Sequence, residues 1–300
     1  MDFKQKRYPV LSSIPWYAHA SIASISTVIS ETLLFSLESS KIRLQIKGSW
    51  RDSIDRSFIK SIRQTIKTAG ISGLYNGFGL TLLREFAFIF PKMYAYEQVK
   101  RYFVADIEKV GYYRQVCPII ASSFFGILAC NAFDIMRIKS IANVDSKQYS
   151  SISEIWKCIT NEKGIIGIER GFVLNFLRST FFISAELAVY TQTKLLLMKK
   201  FKTNKESMPM HIFSCVTASI AACLASCPLD VIRTRYLCYT GEETPLKNFK
   251  TCVLDIIRNH GLKTFYRGFV PYVLKTIPSS IIFFTVATNM KSTYLKYTSV

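Results

Sequence analysis

The sequence predicts an all-α membrane protein with six transmembrane helices in three pseudo-symmetric hairpin repeats, each carrying a short amphipathic helix. Three observations lead there. Hydrophobic residues make up 49% of the 300-residue chain and the mean hydropathy is positive, which favours one integral membrane domain over two soluble ones. The element Pro228-Leu229-Asp230-Val231-Ile232-Arg233-Thr234-Arg235 recurs at equal spacing. Asp134, in Ala132-Phe133-Asp134-Ile135-Met136-Arg137-Ile138-Lys139, stands 96 residues before Asp230, and Glu38, in Ser36-Leu37-Glu38-Ser39-Ser40-Lys41-Ile42-Arg43, stands 96 before Asp134. A glycine-marked turn then follows each copy, Gly70 to Gly77, Gly164 to Gly171 and Gly261 to Gly268. A period this long lies outside the solenoid range, and each copy sits on an apolar run, so hairpins around one axis in a membrane are the better architecture.

In chain order, a first apolar stretch from about Pro15 to Phe35, rich in Ala and Ser, continues into the Glu38 element. Small residues of this kind suit close helix packing in lipid. Ile54, Phe58, Ile62 and Ile66 recur every four residues, which predicts an amphipathic helix along the membrane surface. The second span runs from Gly77 to about Tyr96. The third runs from Val116 to Arg137 after a polar linker at 108–114. A short helix at 151–160 precedes the fourth span, Phe172 to Leu197, and a basic linker at 199–205 precedes the fifth, His211 to Arg233. The sixth runs from Phe269 to Met290. The whole chain reads as one domain with repeats at 14–106, 112–200 and 207–298. Charges interrupt these runs, so a hydropathy window should undercount them.

The net charge is +19. No nucleic-acid motif accompanies it, so acidic lipid and an anionic solute are the expected partners; each base near an anionic surface gains about 1 kcal/mol. No phosphate-binding loop, dinucleotide fingerprint, nucleophile triad or metal-ligand set appears, and His19, His211 and His260 are dispersed. The expectation is therefore no enzyme, no cofactor and no metal. Eight cysteines are scattered without a Cys-x-x-Cys pair; Cys223 and Cys227, four apart, read as small apolar packers. The basic segment Met1 to Tyr8 is too short for a cleavable presequence.

Together the repeated acid-x-x-base elements and aligned glycines resemble the mitochondrial carrier family over essentially the whole chain. The family signature Pro-x-acid-x-x-base-x-base is complete only in the third repeat. The resemblance implies a multi-pass protein of the mitochondrial inner membrane, with the short helices on the matrix side, cardiolipin as a lipid partner and a monomer. It also implies a matrix gate of three interhelical ion pairs, Glu38 with Arg137, Asp134 with Arg233 and Asp230 with Lys41. Gln45 matches the position of a glutamine brace beneath that ring, where Ile141 and Leu237 stand in the other repeats. Pro228 predicts a kink; Ser36 and Ala132 at the aligned positions predict weaker ones.

For the cytosolic gate the family pattern aromatic-acid-x-x-base is met by Tyr96, Glu97 and Lys100. Lys194 and Lys291 keep only the base, so the cytosolic gate should be weak. Family substrate contacts fall seven residues after the last glycine of each turn, at Arg84, Arg178 and Lys275. Three cations at one depth imply a hydrated cavity and an anionic ligand, because an unpaired charge in lipid costs several kcal/mol. Lys92, Glu186 and Phe283 align eight residues further on, and Glu31, seven before Glu38, shares its stripe as an acid that pairs with a cavity base or accepts a proton. Glu85, one residue round the helix from Arg84, should point about 100° away, leaving two positive charges uncompensated. Arg178 followed by Ser179 resembles the carboxylate and keto-acid branch, which favours a di- or tricarboxylate moved by alternating access. A carrier of nucleotides or other phosphorylated anions, and a transport-deficient scaffold or regulator, are the alternatives.

Overall fold

The structure, a computed structural model, describes residues 15–47, 58–103, 112–146, 151–163, 171–201, 208–238 and 249–298. Ile54, Gly164 and the side chain of Lys100 lie outside the described residues. The helices are α1 (Trp16–Lys47), α2 (Phe58–Ala69), α3 (Phe78–Phe103), α4 (Tyr112–Ser146), α5 (Ile152–Lys163), α6 (Phe172–Lys200), α7 (Met208–Cys238), α8 (Phe249–Asp255) and α9 (Phe269–Thr298). Among the described residues there are no strands.

Six helices are long. The shortest, α3, has 26 residues, about 39 Å at 1.5 Å per residue, more than the roughly 30 Å of a hydrocarbon core. Five of the six are apolar enough to count as membrane spans by composition, and α3 is left out. Its sequence holds Arg84, Glu85, Lys92, Glu97 and Lys100, so the expected undercount falls on a helix that charges interrupt. The helices overrun the predicted spans: α4 begins at Tyr112 within the polar linker and continues to Ser146, nine residues past Arg137. Hydropathy marks where a helix leaves the apolar layer, whereas backbone hydrogen bonds carry it on past that boundary.

Each long helix packs most extensively on two others, in the order α1, α3, α4, α6, α7, α9 and back to α1, and α1, α4 and α7 also touch one another. The contacts between repeats, α3 with α4, α6 with α7 and α9 with α1, are more extensive than those within them. The barrel is inside-out relative to a soluble bundle. Leu33, Leu83, Phe125, Leu196, Phe213 and Val270 are exposed on its outer surface, while Ser24, Ser26, Ser30, Glu31, Glu38 and Asp134 are buried. That polarity fits an apolar solvent, where burying backbone and charge inward is the stable solution.

One end of the barrel is closed by a core of Phe35, Ile42, Leu80, Ile138, Ile141, Ile155 and Leu237. Here the glycines ending the turns act as contact points. Gly77, Gly171 and Gly268 have φ of 84°, 78° and 79°, the left-handed region that glycine enters without steric cost. Their missing side chains admit Ile141, Leu237 and Gln45 respectively, with a Cβ on Gly171 falling 2.8 Å from a Leu237 methyl. The three residues aligned at the brace position are thus the three that pack on the turn glycines. α7 runs unbroken through Pro228, and α1 carries a Ser40 to Ser36 carbonyl bond of 2.7 Å at the matching place. α2 turns Ser61 and Thr65 inward and leaves Ile59 and Ile66 exposed, with Ile62 half-buried between them.

Candidate functional site

At the closed end the acid-x-x-base elements of α1, α4 and α7 meet on the barrel axis. Spacing of three or four places each acid and its base on one helix face, and the threefold arrangement turns those faces inward. Lys41 Nζ lies 2.6 Å from Asp230 Oδ2, Arg137 Nη1 lies 3.6 Å from Glu38 Oε1, and Arg233 donates to Asp134 Oδ2. Each acid therefore faces the base of a neighbouring repeat. Gln45 donates to Asp230 Oδ2 at 2.9 Å and accepts from Thr234 Oγ1 at 2.9 Å, so its amide bridges α1 and α7 under the Lys41 pair.

Immediately above this ring stand Arg84, Arg178 and Lys275, from α3, α6 and α9. Each leans down on one ring acid. Arg84 Nε is 3.0 Å from Asp134 Oδ1, Arg178 Nε is 3.6 Å from Asp230 Oδ1, and Lys275 Nζ is 3.3 Å from Glu38 Oε2. Every ring acid is thus shared between a base below and a cation above. The two arginine contacts are Coulombic rather than directed: Arg84 Nε, Arg178 Nε and Asp134 Oδ1 are buried without a hydrogen-bond partner. Exposure separates the two layers. The ring bases Lys41, Arg137 and Arg233 are 4%, 6% and 4% exposed, whereas Arg84, Arg178 and Lys275 are 15%, 17% and 14% exposed. The upper layer keeps partial exposure, whereas the ring beneath it is buried.

Several polar groups complete the upper layer. Lys275 Nζ also lies 2.7 Å from Glu31 Oε1, a pairing of the kind expected for an acid on that stripe. Arg178 Nη1 donates to Tyr272 Oη at 3.4 Å, and Ser179 adjoins it half-buried. Lys92 and Glu186 are half-buried one level higher; each is the strongest opposite charge acting on the other, and Lys92 Nζ sits 5.0 Å from the Phe88 ring centre. Glu97 forms no ion pair with Lys194 or Lys291 among the described residues, and Lys194 Nζ lies 5.9 Å from the Tyr190 ring centre.

One sequence expectation is overturned. Glu85 does not point away from the barrel interior: it is 7% exposed and pairs with Arg84. A rotation of 100° on an ideal helix does not carry a long side chain out of the interior, and the adjacent guanidinium draws the carboxylate back. The upper layer then holds Arg84, Lys92, Arg178 and Lys275 against Glu31, Glu85 and Glu186. One positive charge is uncompensated, not two.

Other site residues escaped the sequence reading. Asn175 donates to Asp134 Oδ2 at 3.0 Å, and Tyr272 places its ring 3.6 Å under Lys41 Nζ while its hydroxyl meets Ser226 Oγ at 3.2 Å. Both stand four residues after the last glycine of a turn, as Thr81 does in the first repeat; that shared register was the signal. The second base of each element is also buried. Arg43 donates to Thr65 Oγ1 and to the Gly73 carbonyl at 2.6 Å, pinning α2 and its turn to α1. Lys139 reaches Cys158 Sγ on α5 at 3.8 Å, and Arg235 donates to the Gln45 carbonyl at 3.1 Å. Cys223 and Cys227 are fully buried and unbridged, as packers should be.

The chain is 23% identical over 280 residues to the dicarboxylate carrier UCP2 of Danio rerio, covering 90% of this chain and 89% of that one. A probable mitochondrial 2-oxoglutarate/malate carrier protein of Dictyostelium discoideum is 25% identical over 273 residues, covering 88% and 85%. A mitochondrial adenyl nucleotide antiporter of Homo sapiens is 28% identical over 284 residues, covering 93% of this chain and 58% of that one. The pattern of the mitochondrial carrier protein family matches residues 12–106, 111–201 and 204–298, three times in succession and over nearly the whole length, so the chain belongs to the mitochondrial carriers, multi-pass transporters of the mitochondrial inner membrane.

Proposed function

We propose that this carrier moves a small organic anion, a di- or tricarboxylate, across the inner membrane by alternating access, with Arg84, Arg178 and Lys275 holding the solute. The observation that carries this reading is the upper layer: three cations at one depth, partly exposed where the ring beneath them is buried. A carboxylate supplies two oxygens in the plane a guanidinium fork matches. Glu31, Lys92, Glu186 and Ser179 shape the remainder of the pocket and make it asymmetric. The ring of Glu38, Lys41, Asp134, Arg137, Asp230 and Arg233, braced by Gln45, acts as the matrix gate. The solute competes with Asp134, Asp230 and Glu38 for the upper cations, so binding loosens the ring from above as it fills the site. Glu97, Lys100, Lys194 and Lys291 close the cytosolic end in the opposite state.

Relatives whose names give dicarboxylate and 2-oxoglutarate/malate transport support the carboxylate class. A nucleotide substrate is the second reading, favoured by the similarity to an adenyl nucleotide antiporter. Purified protein in liposomes, offered labelled malate, citrate, 2-oxoglutarate, ADP and phosphate, separates the two. Uptake of malate, citrate or 2-oxoglutarate above ADP is the expected result. No uptake of any of them by folded protein would favour the scaffold reading instead.

A further inference from the structure

We propose that His211 and Cys215 bind a thiophilic divalent cation of the zinc class at the end of the barrel opposite the ring, with Tyr190 orienting the imidazole from the neighbouring helix. His211 and Cys215 stand four apart on α7, so both side chains leave the same helix face. Two histidines at this spacing on one helix grip zinc in the same way. His211 Nε2 lies 3.7 Å from Cys215 Sγ. A nitrogen and a sulfur bound to one tetrahedral zinc, at about 2.0 Å and 2.3 Å, stand about 3.5 Å apart. The two donors are already at ligand spacing.

The other ring nitrogen is held as a metal ligand's should be. His211 Nδ1 is 2.9 Å from Tyr190 Oη of α6, and the two rings meet edge to face with centres 5.8 Å apart. With the proton on Nδ1, donated to the tyrosine hydroxyl, Nε2 turns its lone pair toward Cys215. Metal-ligating histidines keep their second nitrogen bonded in this manner, which fixes tautomer and ring orientation. His211 is half-buried, Cys215 is 9% exposed, and no disulfide engages the thiol.

Among the described residues no group of three or more His, Cys, Asp and Glu side chains converges, so water completes the coordination, as in zinc sites with an open position. Binding exchanges the S–H bond of Cys215 for a bond from sulfur to metal, and the proton leaves to solvent. A thiolate with an imidazole selects zinc over magnesium or calcium, which prefer oxygen. The thiolate also offsets Lys194, the cation beside the Tyr190 ring. The site lies on the seam between the second and third repeats, where Thr217 donates to Thr193 at 3.3 Å. A bound ion fixes the imidazole against Tyr190 and so braces α7 to α6, whichever solute the carrier moves.

Co²⁺ is the probe. Purified full-length carrier keeping Cys215 as its sole cysteine is titrated with Co²⁺ in detergent while the sulfur-to-cobalt charge-transfer absorption is followed, and Zn²⁺ or Mg²⁺ then competes. About one Co²⁺ per chain should bind with that absorption; Zn²⁺ should erase it and Mg²⁺ should not. Cys215→Ser should abolish the absorption, and His211→Gln and Tyr190→Phe should each weaken binding about tenfold or more. Zn²⁺ should raise the thermal midpoint of wild type more than that of Cys215→Ser. Where the single-cysteine carrier does not fold, wild type against Cys215→Ser decides by the same two readings. No charge-transfer absorption, equal absorption in Cys215→Ser, or equal affinity in folded His211→Gln means adventitious metal only and overturns the site. Equal affinity in folded Tyr190→Phe overturns the brace from α6.

Discussion

Arg178 meets Asp230 with its Nε and Tyr272 with its Nη1, and that geometry makes a specific prediction about fork against point charge. Arg178→Lys keeps the charge and loses the planar donors, so solute binding should weaken by about 1.5–3 kcal/mol, one charge-assisted bond, or roughly ten- to a hundredfold. Arg178→Ala should cost more, because it also leaves Lys41 as the single cation on Asp230. Dissociation constants for malate across the three proteins check the order; Arg178→Ala binding malate as wild type does would remove Arg178 from the site. The sharing of ring acids corrects another natural expectation at this scale. Exchanging Glu38 and Arg137 would keep their mutual attraction, yet an arginine at position 38 would face Lys275, now 3.3 Å from the Glu38 carboxylate. The double variant should therefore recover only part of the transport lost by Glu38→Arg, and adding Lys275→Glu should restore more gate stability than solute binding. Full recovery by the simple exchange would mean that Lys275 does not lean on Glu38.

At the scale of elements, the turn glycines fix how each even helix docks on the next odd one. Gly171 at φ 78° with Leu237 in the space of its absent Cβ combines two penalties. A left-handed alanine costs about 1–2 kcal/mol, and overpacking adds about 1–3 kcal/mol. Gly171→Ala should lower the thermal midpoint in detergent. The double variant Gly171→Ala with Leu237→Ala should lose less than the two singles summed, since the second change removes the clash; strict additivity would show that Leu237 does not occupy that space. The brace behaves likewise. Gln45 joins Asp230 to Thr234 and its carbonyl receives Arg235, so Gln45→Ala should destabilise the α1 to α7 contact by about 1–3 kcal/mol through a buried carboxylate left short of a donor, read as faster matrix-side labelling of the ring.

For the whole molecule, the closed ring at one end and a Glu97 without an ion pair among the described residues at the other define a preferred state. If each ring pair contributes about 1 kcal/mol, three of them bias a two-state equilibrium roughly a hundredfold toward the cytosol-open form. In a background without the eight native cysteines, Phe283→Cys should react with a membrane-impermeant thiol reagent added from the cytosolic side, and malate should slow it. Preferential reaction from the matrix side in the absence of solute would reverse the assignment of the resting state.

The sequence by itself determined the architecture: a 96-residue register of acids and bases and a glycine mark after each copy locate six helices, because helical periodicity and lipid thickness leave little freedom once the repeat is seen. The family resemblance carried on that register implied the six residues of the ring and the three cations above it; threefold repetition is what puts each set at a shared level on the axis. Tertiary structure alone decided who shares whom. That each ring acid is split between a base below and a cation above, that Glu85 returns to Arg84 and halves the positive excess, and that Glu31 holds only one oxygen to Lys275 all depend on which helix faces which and how far a side chain reaches. Spacing along the chain fixes direction around one helix. Electrostatic partnership is a property of distances between helices, and those exist only once the barrel has closed.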